Sequence, residues 1–365
     1  MDNLVTSNIR QRPIRTLVSV AGIALGVILV MLFTGLSRGM SNDLQRRASN
    51  VRAELIFMRP GAVQVTGTTA NLDTRYVDRL KAIDGVEDAL PVIRHIIQGG
   101  KGIGFEQIDG VDWAGYARMN GIRIIDGQGP QALDEVVIDE TKARDNHFRV
   151  GDKIRPFGNQ DYRIVGIYSP ESGARVKMSL TALQDALEAN GKATFIFVKL
   201  RNPDQLLEMQ KRINAELPGN TIQATRDVFT SFEKSIPYLG VFLRVLVGLA
   251  AVVSALVVML AMYTTITERT REIGILKAMG ASRGYIVGII EKEAVLISII
   301  GLVVGFVVSV LAGYLIQKVY GLHFEYSWSW TITAAAIGLI GGILGALYPA
   351  LRASNLDAVN ALSYD

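Results

Sequence analysis

The chain has 365 residues and no cysteine among them. That excludes disulfide scaffolds, thiol nucleophiles, cysteine-ligated zinc and iron–sulfur clusters, while leaving the compartment open. Histidine is scarce, and His95, His147 and His323 are scattered in a way that makes no metal-ligand pattern. No Gly-x-x-x-x-Gly-Lys-Ser/Thr string occurs, so the chain has no phosphate-cradling loop of the usual kind. No serine sits in a Gly-x-Ser-x-Gly elbow. Gly99-Gly-Lys-Gly-Ile-Gly104 lacks the spacing and the βαβ setting of a dinucleotide site and reads as a hairpin. The acid pairs Asp134-Glu135 and Asp139-Glu140 bracket a strand and read as its solvated ends, not as paired catalytic carboxylates. The chain therefore reads as non-catalytic, with no metal or cofactor bound by its own residues.

Charge is also sparse. Charged residues make up 20% of the chain against 49% hydrophobic, with a mean hydropathy of +0.28. This is too apolar for an ordinary soluble enzyme and too charged for a protein that is membrane throughout, so the apolar residues must be unevenly distributed. A net charge of +4 and a pI near 9.2 would suit a nucleic-acid partner. The basic residues, however, flank apolar blocks and form neither a stripe nor a recognition motif, so membrane topology explains them and no nucleic acid is expected.

Four runs carry no charged side chain: Thr16 to Ser37, Val245 to Thr267, Ala294 to Gln317 and Thr331 to Leu351. Each meets the roughly 20 residues a helix needs to cross about 30 Å of hydrocarbon. The first follows Arg10, Arg12 and Arg15 as a signal peptide would, but it is long and ends in no small-x-small cleavage site, so it reads as a retained span. Arg269, Arg271, Lys277, Arg283 and Lys292 lie between the second and third runs, whereas the short loop between the third and fourth offers only Lys318. The positive-inside rule then puts residues 1–15, 268–293 and 352–365 in the cytoplasm. Residues 38–238 and the short loop 318–330 lie outside, and Trp328 and Trp330 fit an aromatic anchor at the outer face. The spans are 16–37, 294–317 and 331–351, with 239–267 holding the second span and the end of a stalk that begins near Phe232 to Tyr238, where Pro237 would kink it. Arg244 stands near the outer start of that second span.

The long outer stretch has ordinary composition and mixed signals. Glu54 to Met58, Glu135 to Ile138, Tyr162 to Tyr168 and Thr194 to Leu200 read as strands, with turns at Arg59-Pro60-Gly61, Asp126-Gly127 and Pro156-Phe157-Gly158. Asp73 to Ile83, Ser179 to Ala189 and Pro203 to Leu217 show helical periods. The expected fold is an integral membrane bundle of four transmembrane helices with a large α+β domain, in two subdomains, inserted between helices one and two.

Glu268-Arg-Thr-Arg-Glu-Ile-Gly-Ile-Leu-Lys-Ala-Met-Gly280-Ala-Ser282 is the most informative stretch, turning sharply amphipathic where the second span leaves the membrane. Ile273, Leu276 and Met279 are expected on one face, Arg269 and Arg271 near the headgroups, Gly280 as a left-handed terminator and Ser282 as the next cap. An interfacial helix with positive-inside charge gives the same pattern. Glu291 and Glu293, at the inner edge of the third span, are placed to pair with Lys292 or with loop arginines, or to snorkel. Gly22 and Gly26, Gly301 and Gly305, and Gly341 and Gly345 are each four apart and suit close helix approach.

The string 268–282 resembles the signature loop of the FtsX-like, MacB-type (type VII) ABC transporter permeases. Arg15-Thr16-Leu17 leading to Gly22-Ile23-Ala24-Leu25-Gly26-Val27 is similar to the family's first span, and Glu293-Ala294 to the start of its third. Tyr348-Pro349-Ala350, with Ala353, Leu356 and Ala361-Leu362, resembles its C-terminal end, although Ala358 follows Asp357 where the family often has proline. Val150-Gly151-Asp152-Lys153-Ile154 and Tyr162-Arg163-Ile164-Val165-Gly166-Ile167 resemble the family's periplasmic core domain.

The resemblance implies a coupling helix that docks on an ATPase. It assigns that role to Glu268, Arg269, Arg271, Glu272, Ile273, Gly274, Leu276, Lys277, Met279 and Gly280. With no phosphate loop here, the motor is expected on a separate subunit in two copies, holding ATP and Mg, beside a second permease copy that makes a homodimer or, alternatively, a heterodimer. The implied function is mechanotransmission in the inner (plasma) membrane. In a MacB-like version the outer domains drive efflux toward a periplasmic adaptor and an outer-membrane channel. The alternatives are a lipoprotein-releasing permease and an FtsX-like subunit that activates a cell-wall hydrolase. A stand-alone sensor would instead tolerate changes at Ile273, Leu276 and Met279. The spans show no continuous polar pathway, which favours motion outside the bilayer over passage through it.

Overall fold

The computed structural model describes residues 13–60, 62, 68–98, 105–157, 160–227 and 239–356. Arg10, Arg12, Gly61, the stretch Gly99 to Gly104, Gly158, Phe232 to Tyr238, and the tail residues Asp357, Ala358, Ala361 and Leu362 lie outside the described residues. The chain divides into two compact units, one of Met1–Met40, Tyr238–Gln317 and Leu322–Asp365, the other of Ser41–Pro237 and Lys318–Gly321.

In chain order, α1 (Pro13–Ser49) precedes β1 (Leu55–Met58), β2 (Leu72–Asp73), α2 (Tyr76–Lys81), β3 (Val86–Gln98) and β4 (Phe105–Val111). Then come α3 (Trp113–Asn120), β5 (Arg123–Gly127), β6 (Glu135–Asp139), α4 (Glu140–Asn146), β7 (Lys153–Ile154) and β8 (Tyr162–Ser169). β9 (Val176–Ser179), α5 (Leu180–Ala186), β10 (Lys192–Ala193), β11 (Phe195–Leu200), α6 (Leu206–Glu216) and β12 (Thr221–Ala224) complete the inserted domain. The membrane unit resumes with α7 (Leu239–Glu268), α8 (Thr270–Ala278), α9 (Arg283–Tyr320) and α10 (Trp328–Ser354).

Among the described residues, four helices are long and apolar enough to cross a membrane: Thr16–Ser49, Arg244–Glu268, Arg283–Tyr320 and Trp328–Ser354. All four outrun the uncharged stretches that announced them, α1 and α9 by the most. The 37 residues of α1 extend about 55 Å at 1.5 Å per residue, well beyond about 30 Å of hydrocarbon. α9 begins at Arg283, ahead of its uncharged core, because polar residues such as Glu291 and Lys292 continue a helix once hydrocarbon no longer dictates composition.

The inserted domain is built on one continuous ten-stranded sheet, in the order β12-β1-β11-β3-β4-β9-β6-β8-β5 with β7 paired to β8. β4 and β9, and β6 and β8, run parallel; the other pairs are antiparallel. The glycine-rich stretch read as a hairpin is flanked by β3 and β4, whose antiparallel register ends at Gln98 opposite Phe105. Strands at the centre are buried on both faces, which is why they read as solid apolar runs. In β1, Ile56 and Met58 join one core with Phe195, Phe197, Val92 and Tyr116, while Leu55 and Phe57 join the opposite one with Ile196, Val198, Leu80 and Ile213. A further core gathers Ile93, Ile108, Val136, Ile138, Ile164, Val176 and Met178 under α5.

Two short helices escaped the sequence pattern. α3 is capped by Asp112, which accepts from the Gly115 amide at 3.1 Å, and is ended by Gly121 at φ +66°. α4 is capped by Asp139, which accepts from the Lys142 amide at 2.7 Å. The acids expected to be solvated are thus corrected at two of four positions. Asp139 and Glu135 are both buried. Glu135 accepts from the Gln131 and Ala132 amides and pairs with Arg163 at 2.7 Å. These bonds hold its carboxyl below the usual range. Asp139 pairs with Arg175 at 3.0 Å. A β-period places an acid at a strand end but says nothing of which basic residue, distant in sequence, covers it.

Against the core of Tyr116, Tyr168 and Phe195 lies a buried polar centre. Arg94 grips Asp109 with two hydrogen bonds of 2.7 and 2.8 Å. Lys177, 0% exposed, donates to the Tyr168 hydroxyl at 2.8 Å and to the carbonyls of Ser172 and Ala174. Burial would raise the Asp109 carboxyl, but the charges of Arg94 and Lys177 leave it below its ordinary value. Burial dominates at Lys177 and pulls its ammonium down to about 7, against the pull of Asp109 and Asp139. The unfolded chain keeps this lysine protonated up to about pH 10.5, whereas the folded chain releases the proton near pH 7, so stability rises with pH between those values. Relative to a Lys177→Met variant, the unfolding free energy of the detergent-solubilised chain should climb between pH 7.5 and 10 by up to about 1.4 kcal/mol per pH unit. Urea unfolding followed by Trp113, whose ring lies 5.7 Å from that of Tyr168, measures this, and a flat difference would refute it.

Candidate functional site

The site is α8 and its supports. α7 runs to Glu268, and the Arg269 amide still bonds back to the carbonyls of Thr265 and Ile266, so α8 starts after the briefest of breaks. Glu272 stands in its first turn and Lys277 in its last, each complementing the helix dipole. Gly280 ends it at φ +91°, with the Ala281 amide bonding the Leu276 carbonyl at 3.0 Å. A side chain there would meet nothing within 4 Å, so backbone conformation alone calls for glycine. Ser282 Oγ then accepts from the Tyr285 amide at 3.3 Å and caps α9.

The rotation of α8 about its axis decides what it presents. Ile273, 8% exposed, turns inward with Gly274 and joins a core of Met262, Ile266, Ile286 and Ile290. Leu276 is half-buried and, with Ile273 and Ile289, lines an open groove whose polar lining is Thr265, Arg269, Glu272 and Glu293. Met279 is 71% exposed and Ile275 45%. Ile273, Leu276 and Met279 therefore do not present a common outward face; the apolar pair facing out is Ile275 and Met279, one helical turn apart, beside exposed Arg271 and Glu272. Ile275 was missed although its four-residue spacing from Met279 was in the sequence. Only the anchors fix the rotation.

Those anchors come from three spans. Arg269 donates to Glu272 at 2.7 Å and lies 3.7 Å from Glu293 of α9. Lys277 donates to the Leu356 carbonyl beyond α10. Arg352 of α10 donates to the Tyr263 hydroxyl of α7 at 3.0 Å and stacks on its ring. Glu268 is exposed at the end of α7. Glu293 thus takes a loop arginine, whereas both carboxylate oxygens of Glu291 are shielded with no partner among the described residues.

The paired glycines lie at helix contacts. A Cβ at Gly22 would stand 2.4 Å from Val257, and one at Gly26 would stand 2.6 Å from the Ser254 hydroxyl, both of α7. Gly301 and Gly305 meet Ile23, Ala24 and Val27 of α1, at 2.8 to 2.9 Å. Gly345 meets the Ala255 carbonyl at 2.4 Å, whereas Gly341 is looser, 3.5 Å from the Ala251 carbonyl. Gly342, not singled out beforehand, is tighter, 2.0 Å from the Ser298 hydroxyl of α9. These contacts run α1 to α7, α1 to α9, α9 to α10 and α10 to α7, and so close a ring.

Residues 16–216 match the family model of the MacB-like periplasmic core domain, and residues 244–358 that of the FtsX-like permease C-terminal region. The chain belongs to the MacB/FtsX-type ABC transporter permeases. This permease is 24% identical to the macrolide export ATP-binding/permease protein MacB of Bdellovibrio bacteriovorus, over 96% of its own length and 60% of that relative's. It thus spans about 60% of the length of such relatives. It is 21% identical to the uncharacterized ABC transporter permease YknZ of Bacillus subtilis, over 99% of its length and 98% of the relative's. Among solved structures, the periplasmic region of MacB from Actinobacillus actinomycetemcomitans is similar over 52% of this chain and 98% of that one, at 13% identity and a TM-score of 0.38.

A large side chain in the glycine ring should unseat the permease bundle. Gly305→Leu, which pushes a Cβ to within 2.9 Å of the Ala24 carbonyl, should cost about 1–3 kcal/mol from overpacking. Gly248→Leu, at a position with nothing within 4 Å, should be tolerated. Thermal melts in detergent, followed by circular dichroism, compare them. Equal midpoints would remove the packing role.

Proposed function

We propose that this permease couples ATP hydrolysis on a separate ATPase subunit to movement of its inserted domain, and that the movement drives export. The observation that carries the reading is the exposed Ile275–Met279 pair on a helix held by three spans. An exposed apolar pair flanked by charges suits a protein partner, and a helix held by several contacts passes on force that a loose loop would absorb. The relative YknZ, matched over nearly its whole length and named a permease, supports an ATPase on another chain; the MacB relatives, named for macrolide export, support efflux. In this reading two permease copies meet two ATPase copies that hold ATP and Mg. Both termini and α8 lie in the cytoplasm, and the inserted domain lies outside, where an adaptor and outer-membrane channel would receive cargo. The match of residues 244–358 to FtsX-like permeases supports a second reading, in which the domain activates a cell-wall hydrolase.

Affinity purification from native membranes, with partners identified by mass spectrometry, tests both. Wild type should bring down an ATPase, and Ile275→Asp with Met279→Asp should lose it by at least about tenfold, the weight of one buried apolar side chain at an interface. The variant should keep its outer partners, with an adaptor favouring export and a hydrolase favouring signalling. No ATPase in either sample, with the permease intact, would sink the coupling reading and leave a stand-alone sensor.

A further inference from the structure

The last two turns of α1 carry a buried acid, Asp43, which would be costly there without partners. It is held by guanidinium groups. Arg47 Nη2 is 3.0 Å away, Arg46 Nη2 3.7 Å, and Arg175 donates to it from far along the sequence. Arg175 also reaches Asp139, the cap of α4, at 3.0 Å, and Glu171 at 3.4 Å. One side chain thus ties α1 to β6, α4 and the strap that links β8 to β9, residues 170–175.

The strap is gripped from both sides. On the α1 side, Asn50 donates to the Glu171 carbonyl at 2.7 Å, Arg47 donates to the Gly173 carbonyl at 3.0 Å, and the Gly173 amide returns a bond to the Arg47 carbonyl at 3.2 Å. Ser172 Oγ donates to the Asn50 carbonyl at 3.2 Å. On the inner side, the Ser172 and Ala174 carbonyls accept from buried Lys177, and the Ala174 amide donates to Asp109 at 3.2 Å. Gly173 sits at φ +58°, and a Cβ there would press to 2.9 Å from the Tyr116 hydroxyl, so the strap cannot relax by substitution. It runs directly into β9, which lies between β4 and β6 in the middle of the sheet.

Buried ion pairs are a poor means of gaining stability, since apolar side chains of similar volume do as well or better. What they add over grease is register: a guanidinium shared among three carboxylates holds one relative position and resists sliding. We propose that Arg175 is the positioning residue of a joint through which displacement of α1 is passed to β9 at the centre of the outer sheet. The joint rests on the reading of the chain as a permease that moves its inserted domain. It adds a place where the movement enters.

The test uses the full chain in nanodiscs with the ATPase recovered above, and compares ATP with ADP by hydrogen exchange across residues 41–227. Wild type should show ATP-dependent exchange at 169–179. Asp43→Asn, which leaves Arg175 paired with Asp139 and Glu171, should lose that response while ATP hydrolysis and the urea midpoint of the domain hold. Asp43→Glu should restore it, a rescue that a filler role would not give. Lys211→Gln, which removes an exposed charge on α6, should keep it. If Asp43→Asn fails to fold, Arg175→Lys, which keeps the charge but cannot span three carboxylates, should show the same loss. Wild-type response in Asp43→Asn, or in Arg175→Lys where that variant is read, would overturn the joint and leave the permease reading standing. No ATP-dependent change anywhere in the wild-type domain would overturn the reading and the joint together.

Discussion

Hydrocarbon offers a backbone no hydrogen-bonding partner, so a chain crossing it must bond to itself as a helix, and that constraint organises the rest of this molecule. α1 obeys it and then continues past Ser37 through Ser49 without a break. The extension is not demanded by lipid. It carries Asp43 and Arg47, which hold the strap of the inserted domain, while Ile23 and Val27 earlier in the same helix pack on Gly301 and Gly305. In lipid the contacts are made by small residues, because close packing is what remains when water cannot drive association. In the inserted domain they are made by charge pairs and backbone bonds.

The two halves solve the burial of polarity in opposite ways. Among the described residues, the membrane unit gathers charged side chains where the spans end, at Arg269, Lys277, Arg352 and the buried Glu293. The inserted domain takes charge inside, at Arg94, Asp109, Lys177 and Asp139, and satisfies each with named partners. That interior position makes Lys177 sensitive to pH and the strap sensitive to α1, since in a medium of low polarity a lost partner is not replaced by water.

How far the sequence could be read follows from the range of each signal. The spans were visible because absence of charge over 20 residues is a local property, and strands such as Tyr162 to Ser169 because a short run of apolar and β-branched residues is local too. α8 could be found from its caps, Glu272 and Gly280, but not its rotation, which depends on Arg269 meeting Glu293 and Lys277 meeting the Leu356 carbonyl. Glu135 and Asp139 looked solvated because Arg163 and Arg175 lie dozens of residues away and nothing in spacing couples them. Gly342 was passed over in favour of its neighbour Gly341, since a four-residue rule cannot choose between adjacent registers.

The pairing of β1 with β12 carries a consequence for descent. Leu55, near where the inserted domain begins, lies opposite Ala224, near where it ends, on neighbouring antiparallel strands. Ends that close, at the roughly 5 Å spacing of such strands, let a whole domain be spliced into or out of a host without stretching either. The permease can thus be regarded as a membrane chassis with an interchangeable head. A paired neck of this kind is a point at which a domain can be inserted into a host chain without altering the elements on either side.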